Sequence, residues 1–379
     1  MEFTVNVAEL HEAVRAVDKI APLNSPIQLL SCAYIECDAD QNTLTIYSNS
    51  FMSAIAFRIG AKASLSGSAA INARLLLKTL DVLLRSGYST MRFSERPDGI
   101  GVECGTFKLS FPKREDSFPK PIFDDPDETM TVSGAQIYAL AQKSAFAAAD
   151  EKSAKDTMKG VYMTLIDNTL SFAASDGYRI ARALDTADIA CTKSALIPAA
   201  MLRKFASIAR HYEEFNIGIT ERCTVFRRSN MTVSIAQIPG TYFDVDAMFK
   251  YPVVCQSEVA VAHLYSIIES AAIACDYAPV KLSVLKGAVS AESTGETYFK
   301  GTVPTTNAGA SEKACTYLHP ERCLQALREI SGLITLSLSK EGHLFFFSGN
   351  SAYFQVATKK PAAPKAKKSK KEADSAKAA

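Results

Sequence analysis

One plan of elements recurs three times along this chain at a spacing of about 125 to 130 residues, and a period of that size points to tandem copies of one module. Each copy opens with a short apolar strand that runs into an amphipathic helix. FTV precedes residues 8–21, where Leu10, Val14 and Val17 fall at helical spacing. MTV precedes 134–149, with Ile137, Leu140, Ala141 and Ser144 on one face, and VAV precedes 262–274, with Leu264, Ile267, Ile268 and Ala271. A strand hairpin follows in each copy, at 33–59, 161–184 and 280–303. Then comes a second helix, at 71–86, 197–212 and 318–331, starting beside Asn72, Pro198 or Pro320, residues suited to a helix's first turn. Two or three strands close each copy, at 90–111, 215–238 and 333–357. Joins rich in proline and charge occupy 112–127 and 239–256, each with an aromatic near an aspartate. The expected domains are therefore 1–127, 128–256 and 257–358.

A chain of 379 residues is long enough to give each copy its own core, and 47% apolar residues exclude global disorder. No apolar run approaches the ~18 residues that span a bilayer. The start, MEFTVNVAEL, carries an acid and no basic stretch, so no secretory signal is expected. Nine scattered cysteines without a Cys-x-x-Cys pair fit reduced thiols and a cytoplasmic location. The formal charge of +2 conceals an asymmetry. From Lys359 onward eight lysines face only Glu372 and Asp374, so everything before them is net acidic. That tail, 359–379, is low-complexity Lys/Ala/Pro and is expected to be disordered; a polycation of this kind either solubilises or attracts DNA phosphates. A body that binds DNA would have to gather its positive charge on one surface.

The chemistry-bearing residues do not assemble into a catalytic pattern. His11, His211, His263, His319 and His343 are isolated in sequence, with no His-x-x-x-His spacing, so no metal is expected. There is no Gly-x-Ser-x-Gly elbow and no phosphate-cradling Gly-x-x-x-x-Gly-Lys-Ser/Thr. Gly99-Ile100-Gly101 lacks a third glycine, and Asp124, Asp125 and Asp127 suit an acidic linker better than a cation site. No catalytic residue and no cofactor is expected, although a hydrolase with triad members far apart in sequence stays open.

The stretch 169–183, TLSFAASDGYRIARA, carries most of what is distinctive. Leu170, Phe172 and Ala174 alternate with Ser171 and Ala173 as in a strand, and Asp176-Gly177 supplies a pair that tolerates positive φ for a tight two-residue turn. Tyr178, Ile180 and Arg182 resume as a second strand, leaving Arg179 between two large apolar residues. Ser175-Asp176-Gly177-Tyr178-Arg179-Ile180 closely resembles the Thr-Asp-Gly-His-Arg-Leu segment in the middle domain of the bacterial DNA polymerase III beta subunit family, the replicative sliding clamps. The resemblance extends from Met1 to about Thr358.

What this resemblance implies is an α+β fold of three tandem DNA-clamp domains, each with two helices packed on antiparallel sheets. Two chains would join head to tail in a ring, with helices lining the hole. It implies sequence-independent binding of double-stranded DNA through basic residues on or beside helices. Arg74 matches a family position for DNA contact; Lys78, Lys152, Lys155, Arg203 and Lys204 are the further candidates, with Arg15, Lys19 and Lys143 beside them. Relatives carry basic residues where this chain has Asn24 and Ala199. The resemblance also implies a hydrophobic cleft for linear peptides of the polymerase III catalytic subunit, the clamp loader, other DNA polymerases and repair proteins. Carried over by position, its wall is Met158, Ser175, Gly177, Tyr178, Arg179, Ile180, Phe243, Met248, Tyr353, Phe354, Gln355 and Val356. Here the chain departs from its relatives in Tyr242-Phe243-Asp244 and in Val356-Ala357-Thr358. Ring closure would join the first domain of one chain to the third of the other by edge-strand pairing, the strand holding Phe107 and Leu109 lying opposite the helix carrying Ile273. A processivity factor is the function expected, with a clamp-like scaffold of weakened DNA contacts as the alternative.

Overall fold

Asn6 ends the first strand and starts helix α1 (Val7–Ile20) by accepting from the amides of Ala8 and Glu9 at 2.8 and 3.2 Å. Side-chain caps also open α2 and α3. Asn72 accepts from Leu75 N to start α2 (Ala73–Arg85). A capping box between Ser133 and Gln136 starts α3 (Gly134–Ala145). Helix α4 (Ala199–Ala209) follows Pro198 directly. Beyond these lie a single turn, α5 (Val245–Met248), then α6 (Val261–Ala274) and α7 (Pro320–Arg328), with Pro320 in the first turn of α7. The apolar spacings read from sequence are the buried faces: Leu10, Val14 and Val17 in α1, Ile137, Leu140 and Ala141 in α3, Leu264, Ile268 and Ala271 in α6.

The computed structural model describes residues 1–22, 25–97, 99–112, 117–153, 155–187, 192–306 and 314–359. Asn24, Cys191 and the lysine-rich tail from Lys360 lie outside them. The chain divides into two units: Met1–Gly177 with Arg182–Phe243, and Tyr178–Ala181 with the residues from Asp244 onward.

The first unit holds the first two repeats. A five-stranded antiparallel sheet runs in the order Lys62–Leu65, Glu2–Asn6, Thr90–Arg96, Gly99–Cys104, Phe107–Pro112. The repeats are joined by an eight-stranded sheet, because Met231–Ala236 of the second pairs antiparallel with Ser53–Gly60 of the first (Met231 opposite Phe57, Val233 opposite Ile55). Gly160–Ile166 lies between Lys193–Pro198 and Thr169–Ser175. Helices α1 and α2 pack together, as do α3 and α4, and α1 also touches α4. Gly134 is required at the α3–α4 contact. A Cβ there would meet Ala209 O at 2.0 Å and Tyr212 O at 2.4 Å.

In the second unit, Val253–Ala260, Leu333–Ser339, Leu344–Ser348 and Ser351–Gln355 form consecutive antiparallel neighbours. A further sheet runs Lys300–Pro304, Ala288–Glu292, Val280–Leu285, Ala314–Leu318. Helices α6 and α7 pack against each other.

The strands Gly67–Asn72, Lys193–Pro198 and Ala314–Leu318, each leading into a second helix, were absent from the sequence-based expectation. They are short and poorly alternating, and their pairing with Cys32–Asp38, Gly160–Ile166 and Val280–Leu285 specifies them. The 176–178 connection also differs from the expected two-residue turn. Asp176, Gly177 and Tyr178 all lie between the strands, and of these only Gly177 has positive φ, at +88°.

Candidate functional site

The basic candidates of the first unit fall into two groups. Arg74, at the start of α2, donates to Asp18 of α1 at 3.1 Å, and Lys204 of α4 also bears on that carboxylate. Asp18 is buried, and burial holds its carboxyl above the usual range while Arg74 and Lys204 oppose the shift. Arg203 donates to the Ala145 carbonyl at 3.3 Å and so caps the C-terminus of α3. Lys78, Lys152 and Lys155 are exposed, the last two in the segment before Gly160–Ile166. Thus α1, α2 and α4 bring Arg74 and Lys204 to one acid, while Lys152 and Lys155 belong to a separate segment.

Of the peptide-wall residues, Met158, Ser175, Gly177 and Phe243 belong to the first unit. Met158 is half-buried, and its carbonyl accepts from Ala149 N at 2.8 Å. Ser175 is buried, with Oγ accepting from Gly177 N at 3.0 Å. Phe243 packs on Tyr242, which stacks on Tyr162 with centroids 5.1 Å apart. Burial pushes the Tyr242 phenol far above its ordinary range.

The second unit holds the others. Tyr178 is 60% exposed; the Arg322 guanidinium lies over its ring at 4.6 Å and its carbonyl accepts from Val356 N at 2.9 Å. Arg179, by contrast, is buried. Its Nη1 donates to Gln325 Oε1 at 2.6 Å and to the Arg322 carbonyl at 3.4 Å, which ties α7 to this segment. Ile180, Tyr353, Phe354 and Gln355 are buried in the chain. Tyr353 donates to Gln355 Oε1 at 2.7 Å, and Gln355 Nε2 donates to the His319 carbonyl at 3.0 Å. Phe354 sits among Phe345, His343 and Tyr251 at 5.2, 5.3 and 5.9 Å. The strand Ser351–Gln355 is covered on both faces, so these side chains are core, whereas Tyr178 is exposed and Met248 and Val356 are half-buried. Arg322 and Gln325 escaped the sequence reading because only α7's packing brings them to Tyr178 and Arg179.

Phe107 and Leu109 lie on the edge strand Phe107–Pro112, 39% and 37% exposed, with Tyr88 set edge-on to Phe107 at 5.4 Å. In the second unit Ile273, near the C-terminus of α6, is 65% exposed, and Tyr298 is exposed beside the edge strand Lys300–Pro304. Among the described residues no group of three or more His, Cys, Asp or Glu is placed to hold a metal, and no helix is long and apolar enough to cross a membrane.

Comparison with known proteins places this architecture. The chain superimposes on the DNA polymerase III beta subunit of Pseudomonas aeruginosa with a TM-score of 0.87 at 15% identity, covering 95% of this chain and 100% of that one. The beta subunit of Thermotoga maritima gives 0.86 at 15% identity over 94% and 99%, and the Bacillus subtilis sliding clamp 0.85 at 17% over 95% and 99%. In sequence it is 24% identical over 188 residues to the beta sliding clamp of Chlamydia muridarum, and 23% identical over the same length to that of Chlamydia trachomatis. Those alignments cover 49% of this chain and 50% and 44% of the relatives, so the chain spans about half the length of the curated relatives it matches. No family model matches. The chain has the α+β DNA-clamp fold, as the resemblance in 175–180 and the threefold repeat imply.

Proposed function

We propose that this protein is a non-enzymatic sliding clamp: a processivity factor that encircles duplex DNA and tethers polymerases to it. The observation that carries the proposal is the match of fold along nearly the whole chain to several polymerase III beta subunits. A protein that slides must hold phosphates without reading bases, since base contacts would arrest it. Its affinity for duplex is then weak, salt-dependent and sequence-blind, and closure supplies persistence. Two chains close the ring, with Phe107 and Leu109 at one end of the interface and Ile273 at the other, which removes an exposed strand edge.

Partners dock as short peptides on the surface around Tyr178. An exposed aromatic beside a cation, with Val356 and Met248 of the same unit, suits the leucine or phenylalanine of a linear motif; Arg322 fixes its polar end. The polymerase III catalytic subunit, the clamp loader, other polymerases and repair proteins are the partners this reading names.

The test is retention on DNA. Loaded by a clamp loader onto nicked circular duplex, the protein should co-elute with the DNA and be lost once the circle is cut. Equal retention on circular and linear DNA would mean that it binds without encircling.

A further inference from the structure

The turn that follows the strand Thr43–Asn49 in the first repeat copies the turn at Tyr178 in the second. Counted from Thr43 in one and Thr169 in the other, Phe51 falls on Gly177 and Met52 on Tyr178. Phe51 and Gly177 share the left-handed region, with φ of +62° and +88°. The Met52 carbonyl accepts from Ala236 N at 2.8 Å, as the Tyr178 carbonyl accepts from Val356 N at 2.9 Å. Phe118 stacks on Tyr34 with centroids 4.8 Å apart, in the way Tyr242 stacks on Tyr162. Met52, like Tyr178, is exposed. The likeness ends at Phe51, where a bulky side chain holds a conformation that favours glycine. Its ring is 64% exposed, so packing into the core does not account for that strain. Met52 lines two adjoining depressions of the first unit, of about 590 and 390 Å³. Met201, Ile238 and Pro239 border the larger, and Phe51 and the almost wholly exposed Ile122 the smaller.

We infer that the surface around Phe51 and Met52 is a second docking site, for a linear peptide with two large apolar residues and basic flanks. The inference rests on the reading of Tyr178 as a docking residue, and goes beyond it to a separate site within the first unit. Two depressions on either side of a flexible methionine take two apolar side chains, one each. Charge sets the flanks. Asp150 and Glu151 border the larger depression, exposed and, among the described residues, without a cation at ion-pair distance. The cations nearby are engaged: Lys159 pairs with Asp156 at 2.8 Å, Arg222 with Asp124 at 3.2 Å, and Arg203 donates to the Ala145 carbonyl. Tyr178 carries the Arg322 guanidinium over its ring instead, so the two surfaces select peptides of opposite charge. The chain's own lysine-rich segment does not suit the site. From Lys360 onward it holds no aromatic residue and no apolar one larger than proline, and so has nothing to fill the depressions.

The experiment follows the methionine methyl groups of the full chain by NMR, with Met52 and Met201 assigned by M52L and M201L. Two acetylated peptides are titrated, each with a leucine and a phenylalanine, one flanked by lysines and the other by aspartates. The lysine peptide should shift both methyls in the Y178A chain as fully as in the unmodified one. The aspartate peptide should bind there about tenfold more weakly. F51G relieves the strained turn, so it should melt no lower than the unmodified protein. Read at Met201, it should nevertheless bind the lysine peptide about tenfold more weakly, and M52S should do the same. Silent Met52 and Met201 methyls, equal affinity for the two peptides, or undiminished binding by both variants overturns the site. Shifts at Met52 that grow with protein concentration and need no peptide overturn the peptide in favour of a second copy. Shifts in the free chain that vanish on deleting residues 360–379 do so in favour of that segment. Anisotropy of the labelled aspartate peptide on the unmodified and Y178A proteins is measured in parallel. If Y178A alone fails to bind it while Met52 stays silent to the lysine peptide, this site falls and the Tyr178 reading stands. If Met52 and Met201 respond but Y178A binds the aspartate peptide undiminished, the Tyr178 reading falls instead.

Discussion

Truncating Phe354 and truncating Tyr178 should have opposite consequences, although both belong to the same set of peptide-wall positions. Phe354 is 1% exposed and lies within 6 Å, ring to ring, of Phe345, His343 and Tyr251. Removing its ring leaves a cavity among three aromatic neighbours that bulky rings cannot readily fill, at a cost of about 3–5 kcal/mol. Against a total stability of about 5–15 kcal/mol that is a large share, and it should lower the melting temperature by about 10 °C. Tyr178 loses only its stacking with Arg322, so Y178A should change stability by no more than about 0.5–1 kcal/mol. Its effect should appear in binding instead. A central tyrosine of a peptide interface contributes about 2 kcal/mol, or roughly 30-fold in affinity. The assay pairs thermal melting with fluorescence anisotropy of a labelled polymerase-tail peptide carrying leucine and phenylalanine. If F354A melts within about 2 °C of the unmodified protein, the aromatic cluster is not the core described here. If Y178A binds the peptide as tightly as before, docking is elsewhere.

Three other perturbations probe separate parts of the molecule. Because burial raises the native pKa of Asp18, the native chain holds that proton more readily than the unfolded one. The resulting stability is full below the ordinary aspartate range of about 4 and is lost as pH rises through the raised value. Denaturant midpoints of the unmodified protein should fall relative to those of D18N across that window, and parallel pH profiles would contradict the assignment. G134A should cost about 1–3 kcal/mol, because the new methyl meets the Ala209 and Tyr212 carbonyls; an unchanged urea midpoint would show that α3 and α4 pack less closely. F107D/L109D should convert a dimer in light scattering to a monomer without loss of helical signal, and a persistent dimer would place the interface on another edge.

What was legible in the amino-acid order was whatever depends on near neighbours. The i, i+3, i+4 runs around Leu10, Ile137 and Leu264 became buried helix faces, since one turn of helix brings such residues together wherever the helix sits. Asn6, Asn72 and Ser133 cap helices through amides two or three residues away. The threefold order of elements was visible for the same reason, being a sum of local preferences repeated. Partners far along the chain decided the rest. Gly67–Asn72 and Lys193–Pro198 are strands because another strand offers its hydrogen bonds. Phe354 and Tyr178 look alike as aromatics in strand-like runs, yet one is core and the other surface. Alternation tells which side chains share a face, not whether that face is covered. Lys19 and Ser207 stand 188 residues apart, so only folding could bring them together and set Arg15, Lys19 and His211 around one depression.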